Sequence, residues 1–187
     1  MEKLATRLEE MEENQEEIQK MLTYMFKSVF VHRYRDVVDD IRCVCLTELG
    51  VWMMECPVLF MEDSYLKYLG WPLHDKVGSV RLCAIKSLLP LYGCREIKDK
   101  LVLFTEKFKE RLVSLVLDKD LEVSVCAVQL LQALAKYQPN SLTDDHCEMV
   151  YELVYSTHRT VARAASCSRG CSCPAWPWRR SGPRGGR

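Results

Sequence analysis

The chain has 187 residues, 48% of them hydrophobic and 28% charged, enough to bury one core of ordinary size and unlike the composition of an unfolded chain. Lys plus Arg and Asp plus Glu number 26 each, so no global field draws the chain to nucleic acid. The net zero hides a segregation: residues 166–187 hold five Arg and no acid, which leaves a charge of −5 on residues 1–165.

The longest apolar runs, such as 113–117 and 125–128, fall far short of the roughly 20 residues that cross a bilayer. The acidic start MEKLATRLEEMEENQEE lacks the basic-then-apolar order of a secretory signal. The ten Cys are therefore expected as thiols in a reducing compartment.

From Leu4 to Met25, Leu4, Leu8, Met11, Ile18, Leu22 and Met25 follow alternating spacings of four and three, broken only by Gln15. That predicts one helix with a narrow apolar seam. A free coiled coil usually has three or four sustained heptads, whereas this seam has about three with one polar breach, so it is expected to pack on its own domain rather than to form a dimer zipper. Beyond it, periodicity and punctuation such as Cys56-Pro57, Tyr92-Gly93 and Gln138-Pro139 extend the helical pattern. The expected helices lie at about 4–29, 33–54, 63–71, 77–92, 96–117, 121–137, 143–156 and 159–165, with no strand.

The middle of the chain repeats itself. Asp75 to Lys86 superposes on Asp118 to Gln129 at an offset of 43, pairing Val80 with Val123, Cys83 with Cys126, Ala84 with Ala127 and, just beyond, Leu88 with Leu131. An earlier copy lies 39 residues upstream, where Asp36, Ile41, Arg42, Cys45 and Leu49 answer Asp75, Val80, Arg81, Ala84 and Leu88. A fragmentary later copy begins at His158, with Val161 and Ala165 in the places of Val123 and Ala127. Helical repeats of about 40 to 47 residues predict an all-α HEAT or armadillo-like solenoid fragment. The repeated Asp, at or just before a helix start, is expected to cap free amides, and the small residue to let helices approach closely.

After Ala165 the sequence SCSRGCSCPAWPWRRSGPRGGR cannot continue a helix and predicts a disordered tail over 166–187. A chain that ends inside a repeat leaves an apolar face uncovered. Marginal stability or self-association is expected.

Metal or catalytic chemistry finds no support. Cys43 and Cys45 point to different faces of a helix, and Cys83 and Cys126 occupy equivalent positions where packing is the natural role. The cluster Cys167, Cys171 and Cys173 has neither a C-x-x-C pair nor a nearby His, which argues against zinc. His74 beside Asp75 has no nucleophile motif to serve. No cofactor, metal, small-molecule substrate or membrane partner is expected, and the chain reads as a non-enzyme.

Two surfaces remain as binding candidates. Asp63, Lys67 and Trp71 recur every four residues and form one stripe on a helix, a Trp anchor flanked by opposite charges that suits a short peptide. Spacing alone favours the other reading, a core Trp with solvated charges. Arg81, Lys86, Arg95, Lys98, Lys100, Lys107, Lys109 and Arg111 make a dense basic run, interleaved with Glu96, Asp99, Glu106 and Glu110. Such a run is either a DNA-facing surface or a self-paired, solvated face.

The blocks FKSVFVHRYRDVVDDIR (26–42) and DSYLKYLGWPLHDKVGSVRL (63–82), in that order and at that distance, closely resemble the stromalin conservative domain of the SA subunits of cohesin. On this likeness, residues 1–27 form an amphipathic helix, 28–117 a stromalin-like region, 118–165 further HEAT-like helices whose last repeat is cut short, and 166–187 an atypical end. The resemblance implies a nuclear, chromosome-associated cohesin regulatory subunit acting in sister-chromatid cohesion. Its partners would be the kleisin subunit, the rest of cohesin, aromatic-motif peptides of chromatin regulators, and DNA. The matching groove residues are Tyr34 in HRYRD, Asp63 and Lys67 in DSYLK, Trp71 in YLGW, and Lys107 and Phe108 in FTEKF. Lys107 stands where the family often has Arg, and Asp39-Asp40 and Pro72 are further departures. The alternative is a HEAT scaffold or adaptor with no cohesin role.

Overall fold

Helices dominate residues 2–138 and 141–166, which are those that the computed structural model describes, and no strand occurs among them. The side chains of Glu2, Lys3 and Lys98 lie outside the described set, as do Cys167, Cys171, Cys173 and the rest of the expected tail beyond Ser166. Helix α1 (Glu2–Met25) runs through a π-helical turn (Phe26–Phe30) into α2 (Val31–Arg33). Then follow α3 (Asp39–Glu55), α4 (Pro57–Phe60), and α5 (Asp63–Gly70) with a 3-10 turn at Trp71–His74. After α6 (Gly78–Gly93), 3-10 turns at Lys98–Leu101 and Leu115–Leu117 flank α7 (Val102–Ser114). The chain continues through α8 (Leu121–Tyr137), α9 (Asp144–Glu152) with a turn at Leu153–Tyr155, and α10 (Arg159–Ser166).

These helices stack in two layers. Helices α3, α6, α8 and α10 pack side by side in one, while α5 and α7 pack on each other and cover α3, α6 and α8. The repeated apolar positions form the seam of the first layer: Val80, Val123 and Val161 are all buried, and so are Ala84, Ala127 and Ala165. A methyl side chain at the second set lets neighbouring helices close up, which explains its recurrence. The 39- and 43-residue offsets are therefore a structural repeat of a helical solenoid.

The repeated Asp and Arg make a ladder between repeats. Arg42 donates through Nε and Nη2 to both carboxylate oxygens of Asp75, each at 3.0 Å. One repeat on, Arg81 does the same to Asp118 at 2.8 and 2.6 Å. The remaining Nη1 of each Arg reaches back to its own turn: Arg42 to the carbonyls of Asp36 and Val37, Arg81 to those of Asp75 and Lys76. Each fork thus ties two turns in bidentate geometry. The repeated Asp residues, expected from the sequence to cap the helix starts, lie outside the N-cap positions, which are Val38, Val77 and Asp120. Asp36, Asp75 and Asp118 sit three residues before α3, α6 and α8 and accept from the N–H of Val38, Val77 and Asp120, the Asx-turn geometry.

That turn also corrects the start of α3. The expected helix 33–54 begins at Asp39, because the Asp36 turn and Arg42 consume the backbone groups of residues 36–38. A larger correction concerns α1. Its seam does not pack on the domain: Leu4 is 74%, Leu8 59%, Met11 64% and Ile18 56% exposed. Only from Leu22 onward does the helix meet the core, through Phe26 and Phe30. Four residues apart, these two rings share one face of the helix and are both buried.

Candidate functional site

Aromatic side chains from two segments interdigitate to build one surface. Phe26, Phe30 and Tyr34 lie a turn apart and stack in sequence, at centroid distances of 4.8 and 5.7 Å. Tyr65 and Tyr68 from α5 meet them edge-on: Tyr65 meets Phe26 at 74°, and Tyr68 meets Phe26, Phe30 and Tyr34 at 80°, 84° and 89°. Such edge-to-face contacts contribute about 0.5–1.5 kcal/mol each beyond burial. Trp71 is the solvent end of the row. It stacks on Tyr34 at 6.4 Å and remains 42% exposed.

Two cations flank that exposed indole. The Arg35 guanidinium lies 5.1 Å from the Tyr34 ring centre and 5.4 Å from that of Trp71, while the Lys67 ammonium is 5.6 Å from Trp71 and 5.3 Å from Tyr68. Positive charge over a ring face is held by the ring quadrupole. Burial pushes the Tyr34 phenol above its ordinary value of 10.0, with the Arg35 charge opposing, so the ring stays neutral beside the cation. Trp71 and Pro72 border a cleft of about 330 Å³ whose other walls include Tyr34, Arg35, His74 and the Arg42–Asp75 pair. An aromatic side chain with acidic neighbours would find there a ring to stack on and cations to pair with.

The structure brings four of the six expected groove residues to one place. Tyr34, Lys67 and Trp71 touch as described, and Phe108 lies beneath α5, where a Cβ on Gly70 would overlap its ring. Phe108 also packs on Phe104, their ring centres 4.8 Å apart and tilted by 33°, so it supports the platform from behind. Asp63 is exposed in the first turn of α5 and Lys107 is exposed on α7; no contact ties either to Trp71. Arg35 was missed. It stands in HRYRD between two residues that were singled out, but only the turn after α2 carries its side chain back over the rings.

The basic run divides. Arg81 is 4% exposed and its whole fork is committed to Asp118 and two carbonyls, so its expected role at a DNA surface is withdrawn. Arg111 donates Nε and Nη2 to the Leu73 carbonyl, locking the α5 turn to α7. Lys109 pairs with Glu106 at 3.0 Å. Lys86, Arg95 and Lys100 are exposed, Lys100 donating to the Pro57 carbonyl, and the Lys98 side chain lies outside the described set.

Cys43 faces Cys83 across α3 and α6, and burial first, then this second thiol, pushes it up to about 11. Burial likewise raises Cys45 and Cys126. Thiols held protonated are poor nucleophiles and metal ligands. Cys83 and Cys126 are half-buried at the layer edge, less enclosed than core residues.

Comparison with known proteins gives concordant results. The family model described as the stromalin conservative domain matches residues 35–109. Cohesin subunit SA-3 of Homo sapiens is 48% identical over 165 residues, which cover 88% of this chain and 14% of that protein. STAG3-like protein 2 of Homo sapiens is 45% identical over 120 residues, covering 64% of this chain and 90% of that protein. Among solved structures, cohesin subunit Scc3 from Z. rouxii is similar at a TM-score of 0.72 and 30% identity, covering 89% of this chain and 19% of that one. The chain thus spans 14% of the length of the human SA-3 protein that it matches.

Proposed function

Because the chain belongs to the stromalin family, that of the cohesin SA and Scc3 subunits, we propose that it serves as a non-enzymatic cohesin regulatory subunit or part of one. Its place would be the chromosome, in sister-chromatid cohesion and chromatin organisation in the nucleus. The solenoid supplies a rigid frame, and the platform of Tyr34, Arg35, Lys67 and Trp71 receives an aromatic-containing peptide of a partner, alongside contacts to the kleisin subunit. The observation that carries this reading is the exposed Trp71, stacked on a buried Tyr and held between two cations. A Trp so exposed yet so fixed loses little side-chain entropy on binding. Asp63 and Lys107 would fix the register of the peptide from either side. Lys86, Arg95, Lys98 and Lys100 would add phosphate contacts to DNA, a weaker and salt-sensitive element of the reading.

The test is binding of peptides that carry an aromatic residue among acids, alone and with a kleisin fragment. Trp71→Ala is expected to weaken binding by about thirtyfold or more, as for an anchor worth ~2 kcal/mol, with the far-ultraviolet circular dichroism unchanged. Arg35→Ala should weaken it less. Equal affinity of wild type and Trp71→Ala would remove the proposed anchor.

A further inference from the structure

From Leu4 to Ile18, the apolar seam of helix α1 is left uncovered by the described residues. Leu4, Leu8, Met11 and Ile18 are each more than half exposed, and α1 makes no extensive contact with any element except the π turn that follows it. Most of a helix's stability in a protein comes from packing an apolar face rather than from intrinsic propensity. We propose that α1 pairs with α1 of a second copy of this chain as a short, parallel, two-stranded coiled coil.

Charge placement favours this occupant. In the heptad set by the seam, Leu8, Gln15 and Leu22 take a positions, and Leu4, Met11, Ile18 and Met25 take d positions. Arg7 then falls at g and Glu12 at the following e. In a parallel pair those two positions face each other across the interface, and the two-fold axis makes the contact twice. Glu9, Glu10, Glu13, Glu16 and Glu17 all fall at b, c or f, pointing away from the partner, so the acidity of α1 does not oppose pairing. Gln15 decides the direction. In a parallel pair it meets Gln15 of the second copy and the two amides satisfy each other, whereas an antiparallel pair sets it against an apolar d residue, leaving an amide unpaired. Because Leu22 is already half-buried in its own domain, the free seam is about two heptads long and the dimer is weak and concentration-dependent.

Sedimentation velocity of the full chain over a wide concentration range tests this. The mass is expected to rise toward twice the monomer, and Leu8→Asp with Met11→Asp should abolish the rise while the melt of the domain stays put. Arg7→Glu and Glu12→Arg should each weaken association roughly tenfold. Mixing the two variants restores it, since each mixed pair again sets opposite charges together. A chain that stays monomeric throughout, or a dimer indifferent to the α1 double variant, overturns the proposal; a mixture that fails to recover overturns the parallel pairing.

Discussion

Arg81 and Arg95 stand fourteen positions apart in one basic run, and burial gives them opposite roles. Arg81 is enclosed with Asp118, their side chains 5% and 7% exposed, whereas Arg95 is exposed. Removing one member of a buried pair strands a charge, so Arg81→Ala is expected to cost about 3–5 kcal/mol in urea unfolding. Arg81→Met with Asp118→Leu should recover most of that, and Arg95→Ala should stay within about 0.5 kcal/mol. An Arg81→Ala chain as stable as wild type would remove the ladder from any account of stability. The pair also sets a pH dependence. Burial alone would raise the Asp118 carboxyl, but the Arg81 fork and the Asp120 N–H outweigh it and hold the group below 3.8. A depressed carboxylate contributes stability above its unfolded value and loses it as pH falls through the folded one. The contribution should therefore be complete at neutral pH and fade only below about pH 3.8, and Asp118→Asn should flatten that acid limb.

At the scale of elements, the contact between α5 and α7 holds Trp71 in place. Gly70 is buried against the Phe108 ring, with no room for a Cβ. Gly70→Ala is expected to overpack that contact at a cost of about 1–3 kcal/mol. It should also weaken peptide binding by tilting the end of α5; Phe108→Leu in the same chain should restore part of the melting temperature. Most elements were legible from periodicity, because α6, α8 and α10 repeat the same Val and Ala positions. The start of α3 was not. Residues 34–38 contain neither Gly nor Pro, and the turn there is made by the Asp36 side chain and the distant Arg42 fork. Likewise Arg35 sits on the platform only because α2 ends beside it.

At the scale of the molecule, the ladder among the described residues has two rungs and then changes. At the position equivalent to Arg81, α8 carries Ser124, whose hydroxyl donates to the Val116 carbonyl within its own repeat. Helix α10 is instead joined to α8 by apolar contact and by Gln132 Nε2 donating to the Ala164 carbonyl at 2.7 Å. A mostly apolar cavity of about 650 Å³ opens between them, lined by Leu121, Val125, Cys126 and Ala164 among others. Solenoids open in units set by their nearest-neighbour interfaces. Amides of α9 and α10 are therefore expected to exchange hydrogen before those of α6 and α8. Uniform protection across the four helices of the first layer would count against a graded solenoid.

The sequence by itself determined the helical class, the repeat and the family, since the period of apolar residues and the recurrence of Asp, Val and Ala are local quantities that any repeat of this kind needs. It also marked Trp71 and Lys67 as neighbours, because four residues is one helical turn. Tertiary structure alone decided which charges are spent and which are free. Arg81 and Arg95 are alike in sequence, but a side chain's availability depends on the desolvation and hydrogen bonding imposed by chain segments tens of residues away. The seam of α1 was settled in the same way: its spacing specified an apolar stripe, and only packing showed that its own domain leaves that stripe uncovered.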